Sequence, residues 1–421
     1  MLIRLNNCRG ITLRDVTLLD PACFTAYFVR CRDIRVEGIT IRSRNTPNGD
    51  GLDFDGGEDV LIANCDMDCG DDAISLKPMH PDWPSQRFLI TNCVMTTEWA
   101  AIRIGPESRG NTRDIVMSNC VFHDCRDGLK IQSGEGAMME NLLFSNLIMR
   151  DVNRPLFATL NRFSFSAHEI SSRPPIGGLR NIQLANIRAI ARRGDPSNPF
   201  NQPCVAIVSL PGAHIENVTF QNVHLTMPGG GSAEQAARLD VAELLDFAGL
   251  WAEVRHFEGE LPSSAIYLRH VRGVALRDVR LDLLQADARP FIAGDDIDGL
   301  TLTDVVAEGT AETQGMALLA DARGVTLRDC HLITGEGVTR PLLAPVTPEQ
   351  EMRLAAHRRE AAALDAAMQR AANAVDAAEK HASRLLSLPL EWHFRPDPRN
   401  EGERAAWFAT EPGPEWATLR I

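Results

Sequence analysis

The chain has 421 residues, of which 44% are hydrophobic and 24% charged, a composition typical of a folded globular protein and not of a disordered one. Its 43 basic and 56 acidic side chains give a net charge of −13, which argues against nucleic-acid binding because that function needs a basic face. The sequence has no apolar run of about 18 residues, so no membrane-spanning helix is predicted.

The first residues, Met1 to Cys8, lack the charged segment and apolar core of a signal peptide. If Met1 is the native start, the expected location is the cytoplasm. If the chain is a fragment, its location is unknown and secretion stays open.

A short pattern recurs through most of the chain: two apolar residues at alternate positions, then Asn or Asp, then two more alternating apolar residues. The copies are centred on Asp15, Asn64, Asn92, Asn119, Asn146, Asn186, Asn222, Asp278, Asp304 and Asp329, and a weaker copy has Gly38 at its centre. The basic period is about 26 residues, with insertions after Asn146, Asn186 and Asn222. Alternation predicts two short strands in each copy. The central Asn or Asp suits a bend, and stacked Asn side chains are expected to form hydrogen-bonded ladders.

A unit this short buries its apolar face only by stacking on its neighbours, so the repeats predict a parallel β-helix of about eleven coils. Cys65, Cys93 and Cys120 directly follow the central Asn of three successive copies. Because they share one register, we expect a buried stack of free thiols instead of a disulfide framework. The long insertions either build the walls of a binding site or pack as ordinary long loops.

The composition changes near residue 345, where the predicted β-helix (1–345) ends. Residues 349–386 contain no Gly or Pro and are rich in Ala, Glu, Arg and Leu, which predicts one long α-helix within 346–387. An apolar heptad seam fits either a helix packed on the β-helix or a self-association helix that forms a homo-oligomer. The last segment, 388–421, resembles the first strands of the galactose-binding-like β-sandwich, and it is too short to complete that domain.

Four copies contain a second strand group at one-coil spacing, in Asp50–Phe54, Asp72–Leu76, Ala100–Ile104 and Asp127–Ile131. Strand alternation sends the large apolar residues inward and one polar column outward, formed by Asp53, Ser75, Arg103 and Lys130. A column of small residues is also expected to face outward and leave an open floor, formed by Gly51, Ala73, Ala101 and Gly128.

Asp50, Asp71 and Asp72 begin these strand groups and are predicted to meet beside that floor. Clustered carboxylates shift one another's pKa and so separate an acid from a base. An inverting glycosidase needs such a pair roughly 6.5–9.5 Å apart, which neighbouring coils are expected to supply. From the residues alone, turn capping or binding of a structural cation such as Ca²⁺ is an equal alternative.

The runs from Pro47 to Asp53 and from Asp68 to Ile74, with their Asn-Gly-Asp-Gly and Gly-Asp-Asp elements, resemble glycoside hydrolase family 28. The resemblance covers roughly residues 1–340 and implies a right-handed β-helix of the polygalacturonase type. It implies metal- and cofactor-independent hydrolysis of O-glycosidic bonds in a pectin-like galacturonide or related saccharide, with inversion. Asp71 would then be the general acid, and Asp50 and Asp72 would hold and deprotonate the attacking water.

Two motifs depart from the family pattern. Glu98-Trp99-Ala100 stands in place of Gly-His-Gly, so the histidine that assists the acid is missing, and Trp99 either stacks on a sugar or simply packs. Lys130-Ile131-Gln132 stands in place of Arg-Ile-Lys, which leaves one cation of the pair that grips a uronate carboxylate.

Asp53, Lys77, Trp99, Arg103, Lys130 and Gln132 are the candidate substrate-binding residues. Arg103 and Lys130 either grip a substrate carboxylate together or pair with Asp53, Asp127 and Glu107. Two rival functions stay open: a non-catalytic carbohydrate-binding β-helix, and a polysaccharide lyase with a Lys or Arg base. In each case the expected partner is an oligo- or polysaccharide.

Overall fold

The structure is a computed structural model that describes residues 1–162, 175–194, 198, 201–244, 251–257, 259–335, 338–385, 391–394 and 417–420. It divides into two compact units, Met1–Asp365 and Ala366–Ile421. The sequence-based boundaries at 345 and 387 differ from this division and stay predictions.

The strands of the first unit, numbered in chain order, are β1 (Ile3–Asn6), β2 (Arg9–Arg14), β3 (Thr17–Leu19), β4 (Ala26–Glu37), β5 (Thr40–Arg42), β6 (Leu52–Ala63), β7 (Asp66–Cys69), β8 (Ile74–Leu76), β9 (Ser85–Thr91), β10 (Val94–Thr97), β11 (Ala100–Ile104), β12 (Thr112–His123), β13 (Asp127–Ser133), β14 (Met138–Arg150), β15 (Arg154–Leu160), β16 (Gly178–Ile190), β17 (Val205–Ser209), β18 (Ile215–Met227), β19 (Ile266–Leu283), β20 (Ile292–Glu308), β21 (Ala317–Arg328), β22 (His331–Ile333) and β23 (Leu343–Ala344). The helices are α1 (Ala233–Ala236), a 3-10 turn at Val254–Phe257, and α2 (Pro348–Leu385), which continues into the second unit. There β24 (Glu391–Phe394) pairs antiparallel with β25 (Ala417–Arg420). Most of the sandwich-like segment predicted for 388–421 lies outside the described residues.

The strands of the first unit pair in parallel with strands one coil away, so the chain winds into the predicted parallel β-helix with three ladders. Sheet A runs through β1, the start of β4, the start of β6, β8, β11, β13, β15, β17, the starts of β19, β20 and β21, and β23. Sheet B has eleven strands within the described residues, from β2, β4, β6, β9, β12, β14, β16, β18, β19, β20 and β21. Sheet C starts at β3, β5 and β7 and ends at β22.

The central residue of each sequence repeat lies at the bend between sheets B and C. Asn64, Asn119 and Asn222 have φ values of 57°, 56° and 51°, a left-handed conformation that Asn tolerates better than most residues. The expected amide ladder is present, because Asn146 Nδ2 donates to Asn119 Oδ1 at 2.9 Å and Asn186 Nδ2 donates to Asn146 Oδ1 at 3.0 Å. The bends therefore follow directly from the repeat.

The interior is one continuous apolar core. Phe28 and Phe54, on neighbouring coils, stack with ring centroids 4.8 Å apart. Cys65, Cys93 and Cys120 are buried and free, as predicted. Burying each large apolar side chain stabilises the fold by about 1.5–3 kcal/mol, so stacking supplies what a single coil lacks.

The predicted outward column of small residues is wrong. Ala73 and Ala101 are fully buried in the core, and a Cβ on Gly51 would lie 2.4 Å from the carbonyl oxygen of Ala73. Ala73 directly precedes β8 and Ala101 is the second residue of β11, so both lie at the corner where sheet A begins and regular strand alternation is not yet established. Sheet A pairs Ala100 with Asp127 and then resumes two residues later, so the position between them lies outside the ladder.

From β15 onwards, the outer face of sheet A is covered by other parts of the chain. The insertion between β18 and β19 packs Val241, Leu244 and Val254 over Phe157 and Tyr267. The first turns of α2 follow, with Leu354 buried against Leu318 and Ala320. The first turns of α2, as far as Arg358, thus pack on the β-helix, whereas the self-association expected of the helix stays a prediction.

In the part of the chain that the structure describes, no helix combines the length and apolar character needed to cross a membrane.

Candidate active site

The acidic residues lie at the corner that leads into sheet A. A carboxylate oxygen from each of Asp50, Asp71 and Asp72 lies within 4.8 Å of the others. Asp50 and Asp72 are 1% and 2% exposed, whereas Asp71 is only half-buried. The structure therefore brings the three predicted catalytic residues together, with Asp71 the most accessible of them.

Two glycines set the position of these residues. A Cβ on Gly49 would lie 2.4 Å from the carbonyl oxygen of Ser43, and a Cβ on Gly70 would lie 2.6 Å from that of Thr46. Only glycine allows both turns to pack against the same loop. The glycines that precede Asp50 and Asp71 thus hold the two turns in one place.

Hydrogen bonds fix the orientation of the carboxyl groups. Asp71 Oδ1 accepts a hydrogen bond from the backbone N–H of Asp72 at 2.9 Å. Asp72 Oδ1 accepts one from the backbone N–H of Ala100 at 3.3 Å, and its Oδ2 accepts one from the Ser75 hydroxyl at 3.4 Å. A fixed geometry of this kind is what proton transfer requires.

Lys77 lies among the carboxylates. Its Nζ is 3.0 Å from Asp50 Oδ2, 3.5 Å from Asp53 Oδ1 and 3.7 Å from Asp72 Oδ2. Burial alone would lower the pKa of Lys77, but these carboxylates outweigh it and raise the pKa well above its usual value. Lys77 balances the charge of the cluster, and its predicted contact with substrate stays a prediction.

Three carboxyl groups of the cluster, those of Asp53, Asp71 and Asp72, have raised pKa values. Burial, followed by repulsion from Asp50, raises the pKa of Asp71 and places that of Asp53 well above its usual range. Burial also raises the pKa of Asp72 to about 7, against the opposing effect of Arg103. Protonated and ionised carboxyl groups can therefore coexist near neutral pH, as acid–base catalysis needs.

The three acidic oxygens are also close enough together to ligate a divalent cation. Lys77, however, already places a positive charge 3.0 Å from Asp50 and 3.7 Å from Asp72. A metal ion there would be repelled by the ammonium group, so the residues present do not fit a metal centre well.

The predicted polar column of sheet A is present, since Asp53 pairs with Ser75, Ser75 with Arg103, and Arg103 with Lys130. Asp53 and Lys130 are fully buried, and Arg103 is 3% exposed. Arg103 donates from Nε to the carbonyl oxygen of Gly105 at 3.0 Å. The column thus lies beneath the surface, and substrate contacts of these residues stay predictions.

Lys130 is neutralised from within the protein. Its Nζ bonds Glu253, a residue of the insertion between β18 and β19, and lies 3.7 Å from Asp127 Oδ2. Asp127 also binds Arg154, which donates from Nε and, at 2.8 Å, from Nη2. Sequence reasoning missed Glu253. The only available signal was that a buried lysine needs an acidic partner.

Gln132 and Trp99 are also engaged with the protein. Gln132 is buried and donates from Nε2 to the carbonyl oxygen of Ala252 at 2.7 Å. Trp99 is half-buried, and the guanidinium carbon of Arg126 lies 3.8 Å from its ring centroid. Sequence reasoning did not single out Arg126. The motif positions alone therefore do not identify the surface that a ligand meets.

Comparison with known proteins identifies the family of the chain. A family model for glycosyl hydrolases family 28 matches residues 1–239, more than half of the chain, and the chain belongs to this family.

Individual relatives are distant. A probable polygalacturonase from Vitis vinifera is 25% identical over 224 residues, which are 50% of this chain and 46% of that protein. Exopolygalacturonase B from Aspergillus niger is 24% identical over 239 residues, 53% of this chain and 52% of its own. The chain thus spans about half the length of the curated relatives it matches. A family 28 exopolygalacturonase structure from Yersinia enterocolitica is similar with a TM-score of 0.50 and 17% identity, covering 70% of this chain and 46% of that one, which concerns the fold alone.

Proposed function

We propose that the chain hydrolyses O-glycosidic bonds of a pectin-like oligo- or polysaccharide, such as a galacturonide, by inverting acid–base catalysis. The observation that carries the proposal is the meeting of Asp50, Asp71 and Asp72 within 4.8 Å, with Lys77 balancing their charge. Family membership supports the hydrolase class, and the names of the relatives support the choice of substrate.

In this mechanism Asp71 is the general acid. It is the most exposed of the three, and its raised pKa favours the protonated form that the leaving glycosidic oxygen needs. Its proton passes to that oxygen as the bond to the anomeric carbon breaks. Asp50 and Asp72 hold a water molecule and accept the proton that it loses as it attacks.

The nearest carboxylate oxygens are closer together than expected for inversion. They lie within 4.8 Å, below the separation of roughly 6.5–9.5 Å that inverting glycosidases usually show. A water molecule about 2.8 Å from each of two oxygens still fits when those oxygens are up to about 5 Å apart. We therefore keep single displacement, with the water seated between Asp50 and Asp72.

The geometry does not favour the two rival functions. A lyase needs its base at the substrate, and Lys130 is fully buried and bonded to Glu253. A purely binding protein would not need three converging carboxyl groups, two of which, those of Asp71 and Asp72, have raised pKa values.

The test is a reducing-end assay of the purified chain on polygalacturonate, other pectic oligosaccharides and neutral plant oligosaccharides. We expect release on a pectic substrate, with a product whose anomeric configuration, followed by proton NMR in the first minutes, is inverted. Retention would overturn the single-displacement mechanism. Failure to cleave any substrate, by protein that unfolds cooperatively, would overturn the hydrolase assignment itself.

A pH prediction follows from Lys77. The mechanism needs Asp71 protonated and Asp72 ionised, so kcat/KM is expected to follow a bell-shaped pH profile whose two limbs report the raised pKa values of this coupled pair, one of them about 7. Lys77 lowers the pKa of both groups, so Lys77→Met should move both limbs of the profile to higher pH. Arg35→Met, an exposed change on sheet B, should leave the limbs in place. An unmoved profile in Lys77→Met would contradict the assigned roles.

A further inference from the structure

The residues that would grip a uronate in this family are unavailable for that role. Lys130 is fully buried against Glu253 and Asp127, and Gln132 is neutral and bonded to Ala252. If the substrate carries carboxylates, as the proposed function holds, another cation must recognise them.

One column at the active-site corner does reach the surface. Ile74 pairs with Ile102 and Ala100 pairs with Asp127, so Asp71, Trp99 and Arg126 hold the same position in three successive coils. All three are half-buried, whereas Asp50, Asp72 and Asp127 in the adjacent column are almost completely buried. Among the described residues, the column Asp71–Trp99–Arg126 is therefore an accessible part of this corner.

The spacing suits a sugar chain. Neighbouring coils lie about 4.8 Å apart, so Arg126 lies about 10 Å from Asp71 along the β-helix axis. A saccharide with its scissile oxygen at Asp71 would place the carboxylate of an adjoining residue within reach of a long arginine side chain.

Arg126 is held in place by an aromatic ring. Its guanidinium carbon lies 3.8 Å from the ring centroid of Trp99, a cation–π contact that stabilises this placement. This contact limits the rotamers of Arg126 before any ligand binds. Through this contact, Trp99 orients the guanidinium group of Arg126 as well as packing against it.

Burial, followed by the neighbouring Arg154, lowers the pKa of Arg126, against the opposing effect of Asp127, Glu253 and Glu98. A ligand carboxylate beside the guanidinium group would further favour its charged form.

We infer that Arg126, positioned by Trp99, binds the carboxylate of a uronate residue of the substrate and replaces the family's missing cation. The inference rests on the proposed function in taking the ligand to be an acidic saccharide. Arg126 is thus a substrate-binding residue that sets specificity, and Trp99 is a positioning residue.

The experiment compares tetragalacturonide with its carboxyl-reduced counterpart, which has the same linkages and no charge. We expect wild-type protein to prefer the charged substrate. Arg126→Met should lose about 10- to 100-fold in kcat/KM on tetragalacturonide, mainly through KM, and change by less than about threefold on the reduced substrate. Arg126→Lys should recover part of the loss, and Arg35→Met should have no effect.

Calorimetric binding of the same two ligands separates this inference from the proposed function. If no substrate is cleaved but tetragalacturonide binds and Arg126→Met weakens it selectively, the hydrolase proposal fails and the carboxylate site stands. Equal losses on both ligands, or no loss on tetragalacturonide, would overturn the role of Arg126. If Arg126→Met does not fold, two other results would overturn the role of Arg126. One is wild-type protein that shows no preference for the charged ligand. The other is an Arg126→Lys variant that loses all binding of the charged ligand.

Discussion

Asp71→Asn is expected to reduce kcat on an oligosaccharide by about 10²–10⁴-fold or more, because an amide cannot transfer a proton to the leaving oxygen. Since burial raises the pKa of Asp71, its ionised form is destabilised in the folded protein above the usual carboxyl pKa. Asparagine removes that cost, so the thermal midpoint at neutral pH should be unchanged or higher. Reducing-end kinetics and calorimetry measure the two effects.

A leaving-group comparison makes this test specific to the acid role. A 4-nitrophenyl glycoside needs little protonation of its leaving oxygen, so Asp71→Asn should impair its cleavage far less than that of the natural linkage. Asp68→Asn, three residues earlier and ion-paired with Arg44, serves as the matched control and should retain activity. An equal loss on both types of substrate would remove Asp71 from the acid role.

Arg154→Met is expected to destabilise the fold by about 3–5 kcal/mol, because it leaves the buried carboxylate of Asp127 without its bidentate partner. Both side chains are fully buried, and Lys130, 3.7 Å from Asp127, is already bonded to Glu253. Thermal or denaturant unfolding of the purified variant measures the loss.

The double variant Asp127→Asn with Arg154→Met should be clearly more stable than Arg154→Met alone, since no buried charge is then left without its partner. Arg9→Met, which breaks an exposed pair with Asp33, should cost no more than about 1 kcal/mol. If Arg154→Met were no more harmful than Arg9→Met, the buried pair would not be a structural requirement.

The fold could be predicted because its main determinants are local and repeated. One apolar period, with Asn or Asp at each bend, fixes both the strands and the turns, and the structure places Asn64 and Asn119 in the expected left-handed conformation. The second amide ladder, in which Asn181 Nδ2 donates to Asn141 Oδ1 at 3.1 Å, was not predicted. Asn141 and Asn181 come before the recurring pattern centred on Asn146 and Asn186, so the repeat does not mark the bend at which they lie.

The site could be predicted only in part. The two Gly-Asp elements lie about one coil apart in the sequence. This spacing predicts that Asp50 and Asp71 come together on neighbouring coils. The roles of Glu253 and Arg126 could not be predicted in this way. Glu253 comes from an insertion that has no repeat pattern. Arg126 lies at a corner where tertiary packing determines which side chains are exposed to solvent. The same corner explains why Ala73 was wrongly expected to face outward.

Asp71, Trp99 and Arg126 each belong to a different coil, so the strand pairing fixes their spacing along the β-helix. Unless a bend is rebuilt, the separation of Asp71, Trp99 and Arg126 can change only by the height of complete coils. Loss or gain of one complete repeat between them would preserve every strand pairing yet change their separation by about 4.8 Å. In such an architecture, length changes of one full period offer a discrete route from one saccharide preference to another.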